Sequence, residues 1–245
     1  RGMRMTAELK LGGVALHYGV ADVRIEGKNT VEAIAWRQDG MEHRLVCDGI
    51  GYGLALRSET QLADLAGCRF AFNQRDRAAL PERDAAGRTS VPGVYLAGDG
   101  AGIAGADAAE RSGERAALAL LQDRGLPHDA ARAAALEAEL ARIGRFREVL
   151  EAAFPFPAHW VKDIADGTTL CRCEEVTAGE VRAAIGQFGV HELNRLKAVS
   201  RVGMGRCQGR ICGAAAAELL AHETHRGIEA VGRLRSQAPI KPVPL

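Results

Sequence analysis

Four of the six cysteines in this 245-residue chain form two closely spaced pairs. Cys171 and Cys173 lie in "CRCEEV", and Cys207 and Cys212 lie in "GRCQGRIC". Two cysteines separated by one residue are poorly placed to form a disulfide with each other, because the ring would be too tight for normal disulfide geometry. They can instead direct both sulfurs at one atom. The four thiols therefore suit a structural zinc ion, an iron–sulfur cluster or two disulfides.

The spacing and the surrounding residues favour the cluster over the other two. Zinc modules usually use two C-x2-4-C knuckles, whereas here C-x-C is followed by C-x4-C. Gly203, Gly205, Gly209 and Gly213 surround the second pair, and glycine lets backbone N–H groups approach sulfur closely. Five cations between residues 195 and 210 can offset the charge of a cluster, although they suit a solvated face or an acidic partner equally well. Zinc stays open as the alternative.

A second stretch that suggests chemistry is "VYLAGDGAGIAGADAAE", residues 94–110. Its apolar start predicts a buried strand that ends at Gly98 and Asp99, and a helix is expected to begin near Gly105 and Ala106. In open α/β sheets, ligands bind in the crevice beyond the carboxyl ends of the strands. There a carboxylate can accept hydrogen bonds from sugar-type hydroxyls, and a helix start can stabilise negative charge. The simpler alternative is that Asp99 only caps the turn.

Composition limits the classes of function. The chain is 47% hydrophobic and 26% charged, as in ordinary globular proteins. A formal net charge of +1 gives no reason to expect attraction to nucleic acid or to a membrane surface. No apolar run approaches the ~20 residues needed to span a bilayer. Nothing resembles a secretion signal, although the chain begins at Arg1. We therefore expect a cytoplasmic location, where disulfides are disfavoured.

Hydrophobic periodicity predicts the secondary structure. Alternation in "VADVRIEG" and "VEAIAW" predicts a hairpin around Gly27, with "EHRLVCDGI" as a third strand. "ETQLADLAG" and the run after Asp129 predict helices, and the latter carries an apolar stripe of Leu136, Leu140, Ile143, Phe146 and Leu150. Thr177 and Glu180 form a capping-box pattern that opens a helix closed by Gly189. Two further short helices are expected in "VHELNRLK" and "RICGAAAAELLAHET".

The pattern "CRCEEV…GMGRCQGRIC" resembles the [2Fe–2S]-binding module of bacterioferritin-associated ferredoxin. It is more similar still to the version found in flavin subunits of opine oxidases, cyanide synthase and dye-linked proline or hydroxyproline dehydrogenases. The resemblance implies that Cys171, Cys173, Cys207 and Cys212 ligate the cluster. "LAGDGAGIAGAD" likewise resembles the C-terminal flavin-binding segment of two-dinucleotide-domain flavoproteins. There it implies FAD contacts for Gly98, Asp99, Gly105 and Ala106, with Asp99 on the ribityl chain.

The resemblance also implies an architecture. The fold is expected to be α/β, namely the C-terminal part of a two-dinucleotide-binding-domain flavoprotein followed by a small helical iron–sulfur module. The FAD site is expected to be incomplete, because the G-x-G-x-x-G fingerprint that binds the ADP half is missing. The predicted domains are a partial FAD/NAD(P)-binding-like domain at 1–127, a connecting helix and linker at 128–165, the iron–sulfur domain at 166–226 and an extended tail at 227–245.

The function implied by the resemblance is that of an electron-transfer subunit fragment. It would belong to an FAD-dependent amino-acid, opine or proline-type dehydrogenase or oxidase. The implied partners are an electron acceptor and a second flavoprotein subunit, with no nucleic acid and no transmembrane segment. The alternative, from a different class, is a binding or assembly module whose four cysteines hold zinc and in which no redox chemistry occurs. No catalytic residue is identified.

Overall fold

The computed structural model describes residues 2–53, 56–154, 156, 158–238 and 240. It divides the chain into two units, Arg1–Gly53 and Leu54–Leu245. Within the described residues, no helix combines the length and apolarity needed to cross a lipid bilayer.

The first unit contains one helix and one antiparallel sheet. Helix α1 spans Gly2–Leu11, which the sequence pattern does not predict. The sheet has the order β1-β2-β3, with the expected third strand in place. Its strands are β1 Ala21–Glu26, β2 Ala33–Gln38 and β3 Met41–Val46.

The predicted hairpin turn requires its glycine. Gly27 has φ of +143°, and a Cβ added there would lie 1.9 Å from the carbonyl oxygen of Thr30. No side chain fits that space, so the glycine is a steric necessity of the turn that joins β1 to β2.

The second unit begins with small antiparallel elements followed by two long helices. Helix α2 spans Gln61–Leu65, and β4 Phe70–Asn73 pairs with β5 Ala78–Pro81. The two long helices, α3 Ala106–Asp123 and α4 Ala130–Ala153, pack against each other. The helices expected in these regions are confirmed.

The predicted strand at "VYLAG" is wrong. Residues 94–97 form no strand, and Tyr95 makes only an isolated antiparallel bridge with Arg88. Leu96 is half-buried and donates its N–H to the carbonyl oxygen of Gly87 at 2.8 Å. A buried strand needs neighbours along both edges, and in the described part of the chain this segment has a partner along one edge.

Helix α4 buries much less of its apolar stripe than its periodicity suggests. The helix begins at the Asp129 cap, whose carboxylate accepts from the Arg132 N–H at 2.8 Å. Leu136 is fully buried, but Phe146 and Leu150 are exposed. The packed stripe therefore covers only the N-terminal half of the helix. The prolines expected to end it, Pro155 and Pro157, lie outside the described residues.

The C-terminal module is a short hairpin followed by three helices. Its core is a cluster of aliphatic side chains, among which Val181, Leu193, Leu196, Leu219 and Leu220 are at most 2% exposed. Its elements are β6 Thr169–Cys171, β7 Val176–Thr177, α5 Ala178–Phe188, α6 Leu193–Ser200 and α7 Gly213–Glu223.

The caps of α5 are those that the sequence predicts. The Thr177 hydroxyl accepts from the Glu180 N–H at 3.2 Å, and the Glu180 carboxylate accepts from the Thr177 N–H at 2.8 Å. Gly189 closes the helix in the left-handed conformation, with φ of +56°. The free backbone groups at both ends of α5 are thus hydrogen-bonded to residues nearby in the chain, independently of tertiary contacts.

Ion pairs tie residues 56–81 to residues 210–235, and the sequence pattern predicts none of them. Arg77 donates two hydrogen bonds, of 2.8 and 2.9 Å, to Glu218 on α7, whose side chain is only 4% exposed. Arg233 donates to Asp64 on α2 at 2.7 Å, and its guanidinium lies 3.7 Å from the centroid of the Phe70 ring. Of the predicted extended tail, residues 239 and 241–245 lie outside the described part.

Arg77→Met should destabilise the protein severely, because it leaves the buried Glu218 carboxylate without its guanidinium. Removing one partner of a buried pair typically costs about 3–5 kcal/mol. The free energy of unfolding, measured by urea titration, should fall by that amount. Arg69→Met is the matched control, since it breaks an exposed pair with Glu82 and should cost under about 1 kcal/mol. Equal, small losses in both variants would contradict the assignment of a buried ion pair.

Candidate metal centre and adjoining cavity

The four predicted cysteine ligands come together at one end of the C-terminal module. Cys171 ends β6, and Cys173 lies in the turn that leads to β7. Cys207 lies in the loop before α7, and Cys212 is the residue that caps that helix. Cys171 and Cys212 are buried, Cys207 is half-buried and Cys173 is exposed. The site therefore has an inner edge in the core and an outer edge at the surface.

The four thiols meet as two pairs, each with one cysteine from each motif. Cys173 lies beside Cys207 at the outer edge, and Cys171 lies beside Cys212 at the inner edge. Cys207 is also close enough to Cys212 for their charges to interact. Neither sequence pair, C-x-C or C-x4-C, forms a pair in space.

The two edges differ in how readily a thiol loses its proton. Burial raises the pKa of Cys207. Hydrogen bonding from the Ile211 N–H, the Cys173 thiol and the N–H groups of Gly209 and Arg210 outweighs this effect, so the pKa of Cys207 is lowered. Burial raises the pKa of Cys212 to about 12, and its hydrogen bond with Cys171 adds to the effect. Since metal ligands are thiolates, Cys212 needs a positive charge to replace its proton.

The approach of the two motifs depends on Gly205. A Cβ added to this buried residue would lie 2.3 Å from the Cβ of Cys173 and 3.2 Å from a carboxylate oxygen of Glu174. Backbone thus packs directly on the first cysteine motif. Glu174 is itself neutralised by Arg201, which donates to it at 2.7 Å.

The other glycines of the motif have a role that the sequence does not reveal. Added Cβ atoms at Gly203, Gly209 and Gly213 would lie 2.8, 2.4 and 3.0 Å from the Leu234 Cδ1 atom. These glycines therefore make room for a leucine that arrives from beyond the three helices. From the sequence alone, these glycines are expected to let backbone N–H groups approach sulfur. Leu234 carries no motif that would identify it.

The donor set fits a two-iron cluster. A [2Fe–2S] cluster takes four cysteine thiolates, two on each iron, and the structure supplies two thiol pairs side by side. Backbone N–H groups already point at Cys207, as is usual around cluster sulfurs. Within the described residues, no three His, Cys, Asp or Glu side chains surround one ion position.

Two of the four predicted flavin residues lie beside a cavity of about 310 Å³ that is lined in part by α3 and α4. Gly98 and Asp99 line this cavity, and Asp99 is exposed. Gly98 has φ of +62°, and its N–H donates to the Ser112 hydroxyl at 2.8 Å. Gly105, which caps α3, and Ala106, which begins it, do not line the cavity. The structure thus brings together two of the four predicted residues.

The cavity also involves residues that the sequence does not single out. Ser112 on α3 fixes the Gly98 turn, and Glu137 and Ile143 contribute from α4. Ser58 accepts from the Gly102 N–H at 3.0 Å and so anchors the far side of the turn. Serine hydroxyls on a helix or loop give no pattern by which such contacts can be predicted.

Comparison with known proteins confirms the resemblance seen in the sequence. Residues 169–222 match the family model of the BFD-like [2Fe-2S] binding domain, and this span contains all four cysteines. The whole chain is 36% identical to one subunit of the opine oxidase of Rhizobium meliloti, of which it covers 47%. It is 37% identical over 99% of its length to hydrogen cyanide synthase subunit HcnB of Pseudomonas aeruginosa, of which it covers 54%. The chain thus spans about half the length of these curated relatives.

A solved structure shows the same fold. The crystal structure of L-proline dehydrogenase from P. horikoshii matches 98% of this chain and 46% of its own, with a TM-score of 0.71 at 21% identity. The expected fold class, mixed α and β with a helical iron–sulfur module at the C-terminal end, is confirmed.

Gly205→Ala should prevent a cluster from binding, because the new methyl group would overlap Cys173. Overpacking of this kind typically costs about 1–3 kcal/mol, and here it displaces the ligand itself. Iron and acid-labile sulfide per chain should fall sharply in the purified protein. Gly186→Ala, on α5 with nothing within 4 Å of its added Cβ, is the matched control and should keep its iron. Full cluster content in Gly205→Ala would refute this account of the loop.

Proposed function

Because residues 169–222 match the BFD-like [2Fe-2S] binding domain, we propose that this chain is the electron-transferring part of a subunit in a flavin-dependent dehydrogenase or oxidase. The observation that carries the proposal is that one unit, Leu54–Leu245, contains both the four thiols in two pairs and the glycine-rich turn at Asp99. The relatives support the redox class, since they include an opine oxidase and an L-proline dehydrogenase.

Each cofactor has a set of residues that would hold it. Cys171, Cys173, Cys207 and Cys212 would ligate the cluster, and Asp99 would accept hydrogen bonds from the ribityl hydroxyls of FAD. When bound, FAD accepts two electrons from a substrate, and the cluster passes electrons on singly. The exposure of Cys173 leaves the outer edge of the cluster accessible to an acceptor.

We place the substrate in the class of amino acids and their N-substituted derivatives, in line with the opine and L-proline in the relatives' names. Gly105 and Ala106 would contribute the N-terminal N–H groups of α3 to the flavin.

A second flavoprotein subunit is the proposed partner, and the cytoplasm is the proposed location. The domain limits proposed from the sequence, 1–127, 128–165, 166–226 and 227–245, complete this assignment.

Metal analysis tests the proposal directly. The complete subunit, purified without oxygen, should contain about two irons and two acid-labile sulfides per chain, with visible absorption. Cys207→Ser should remove most of both, because it breaks the outer thiol pair. Cys47→Ser, at a half-buried cysteine outside the module, should change neither. One zinc per chain without labile sulfide would instead establish the non-redox binding module.

Asp99→Ala should weaken FAD binding without affecting the cluster. Losing a hydrogen bond to a charged group typically costs about 1.5–3 kcal/mol, which corresponds to roughly 10- to 150-fold weaker binding. Flavin per chain after gel filtration of the complete subunit should fall, while iron per chain stays constant. Glu110→Ala, an exposed residue of α3 that does not line the cavity, should retain its flavin. Unchanged flavin occupancy in Asp99→Ala would assign that residue to the turn alone.

A further inference from the structure

The loop that carries Cys207 is held by two side chains from far upstream in the chain. The side-chain amide of Gln61, 147 positions before, donates a hydrogen bond of 3.0 Å to the carbonyl oxygen of Gln208. The carboxylate of Glu59, 151 positions before Arg210, forms an ion pair with its guanidinium. Both contacts lie within the unit Leu54–Leu245. No cysteine motif predicts either residue.

The backbone that these contacts hold is unusual. Gln208 and Gly209 are consecutive left-handed residues, with φ of +51° and +81°. A residue with a side chain in that region costs free energy, and it adopts this conformation only where its surroundings hold it there. The carbonyl that Gln61 binds belongs to Gln208, the residue of the two that has a side chain. Gln61 therefore stabilises the strained residue of the turn.

This turn directs backbone N–H groups at a proposed ligand sulfur. The N–H groups of Gly209 and Ile211 lie near the sulfur of Cys207 and lower its pKa, and the Arg210 N–H donates to the Cys207 carbonyl oxygen at 3.1 Å. Successive N–H groups around a left-handed turn form a concave site for negative charge. Hydrogen bonds to cluster sulfurs and nearby charges are among the main determinants of iron–sulfur reduction potentials.

We infer that Glu59 and Gln61 are positioning residues that set the reduction potential of the cluster. Gln61 acts by fixing the turn whose N–H groups reach Cys207, and Glu59 acts by neutralising Arg210 beside it. This inference rests on the proposed function, since it requires that the four cysteines hold a [2Fe–2S] cluster. It extends the electron-transfer site to residues that are not ligands and lie outside the BFD-like domain.

The two contacts act on the potential in opposite directions. Reduction adds negative charge to the cluster, and the N–H groups stabilise that charge. Loosening the turn in Gln61→Met therefore makes the potential more negative. In Glu59→Gln, Arg210 keeps its hydrogen bonds to the carbonyl oxygens of Cys207 and Ile240 but loses its counter-charge. Its unneutralised cation stabilises the reduced cluster and makes the potential more positive.

The experiment is a redox titration of the complete subunit, followed by the electron paramagnetic resonance signal of the reduced cluster. Each variant should change the ratio of reduced to oxidised cluster at a fixed potential by about fivefold, in opposite directions. Gln74→Ala is the matched control. Gln74 also joins the upstream region to the module, through Glu229 at 3.3 Å, but makes no hydrogen bond to the Cys207 loop among the described residues. Its potential should equal that of the unchanged protein.

Iron and labile sulfide are measured in every sample, which separates a failure of the inference from a failure of the proposed function. Potentials that stay unchanged, or that shift in the same direction in both variants, would overturn the inference while the cluster and the proposed function stand. Should Gln61→Met fail to retain the cluster, the positive shift in Glu59→Gln decides alone. Absence of iron and sulfide from the unchanged protein would overturn the proposed function itself.

Discussion

The close contact of Gly205 with Cys173 is the constraint on which the metal centre depends. The two cysteine motifs are distant in sequence, and each spatial thiol pair takes one cysteine from each motif. That arrangement requires backbone to lie against Cys173 with no intervening side chain. The aliphatic core behind it, with Leu219 and Leu220 on α7, fixes the inner pair in place. Thiol pairing is thus a product of packing and not of motif spacing.

A second layer of interactions joins this module to the region with the candidate flavin cavity. Arg77 with Glu218, and Arg233 with Asp64, are ion pairs in which one carboxylate is almost inaccessible to solvent. Burial raises the pKa of Asp64, but hydrogen bonds from Arg233 and the Ser236 N–H outweigh it and the pKa is lowered, so the carboxylate stays charged. A buried ion pair stabilises the folded protein only while the two charged groups keep good hydrogen-bond geometry, because otherwise their attraction does not offset the cost of removing them from water. Residues 58–61 contact the loop of Cys207 through Glu59 and Gln61, and they contact the Asp99 turn through Ser58.

Local sequence patterns predicted correctly those elements whose contacts are made between residues close together in the chain. The β1–β2 hairpin, the capping box of α5 and its Gly189 end all depend on residues within a few positions of one another. The strand expected at residues 94–97 fails for the opposite reason, since a buried strand exists only with neighbours on both edges. The apolar stripe of α4 shows the same limit, because periodicity marks a face but cannot say how much of it another element covers.

The sequence by itself determined the identity of the four cysteines, their grouping into two motifs and the chemistry that four thiols support. It also marked Asp99 as a carboxylate in a glycine-rich turn before a helix. Only the tertiary structure decided which thiols pair, which pair is buried, and that Leu234 occupies the space left by three glycines. It alone brought Glu59 and Gln61 to the Cys207 loop. The physical reason is that ligand chemistry resides in residue type, whereas distance, burial and electrostatic environment arise from contacts between residues far apart in the chain.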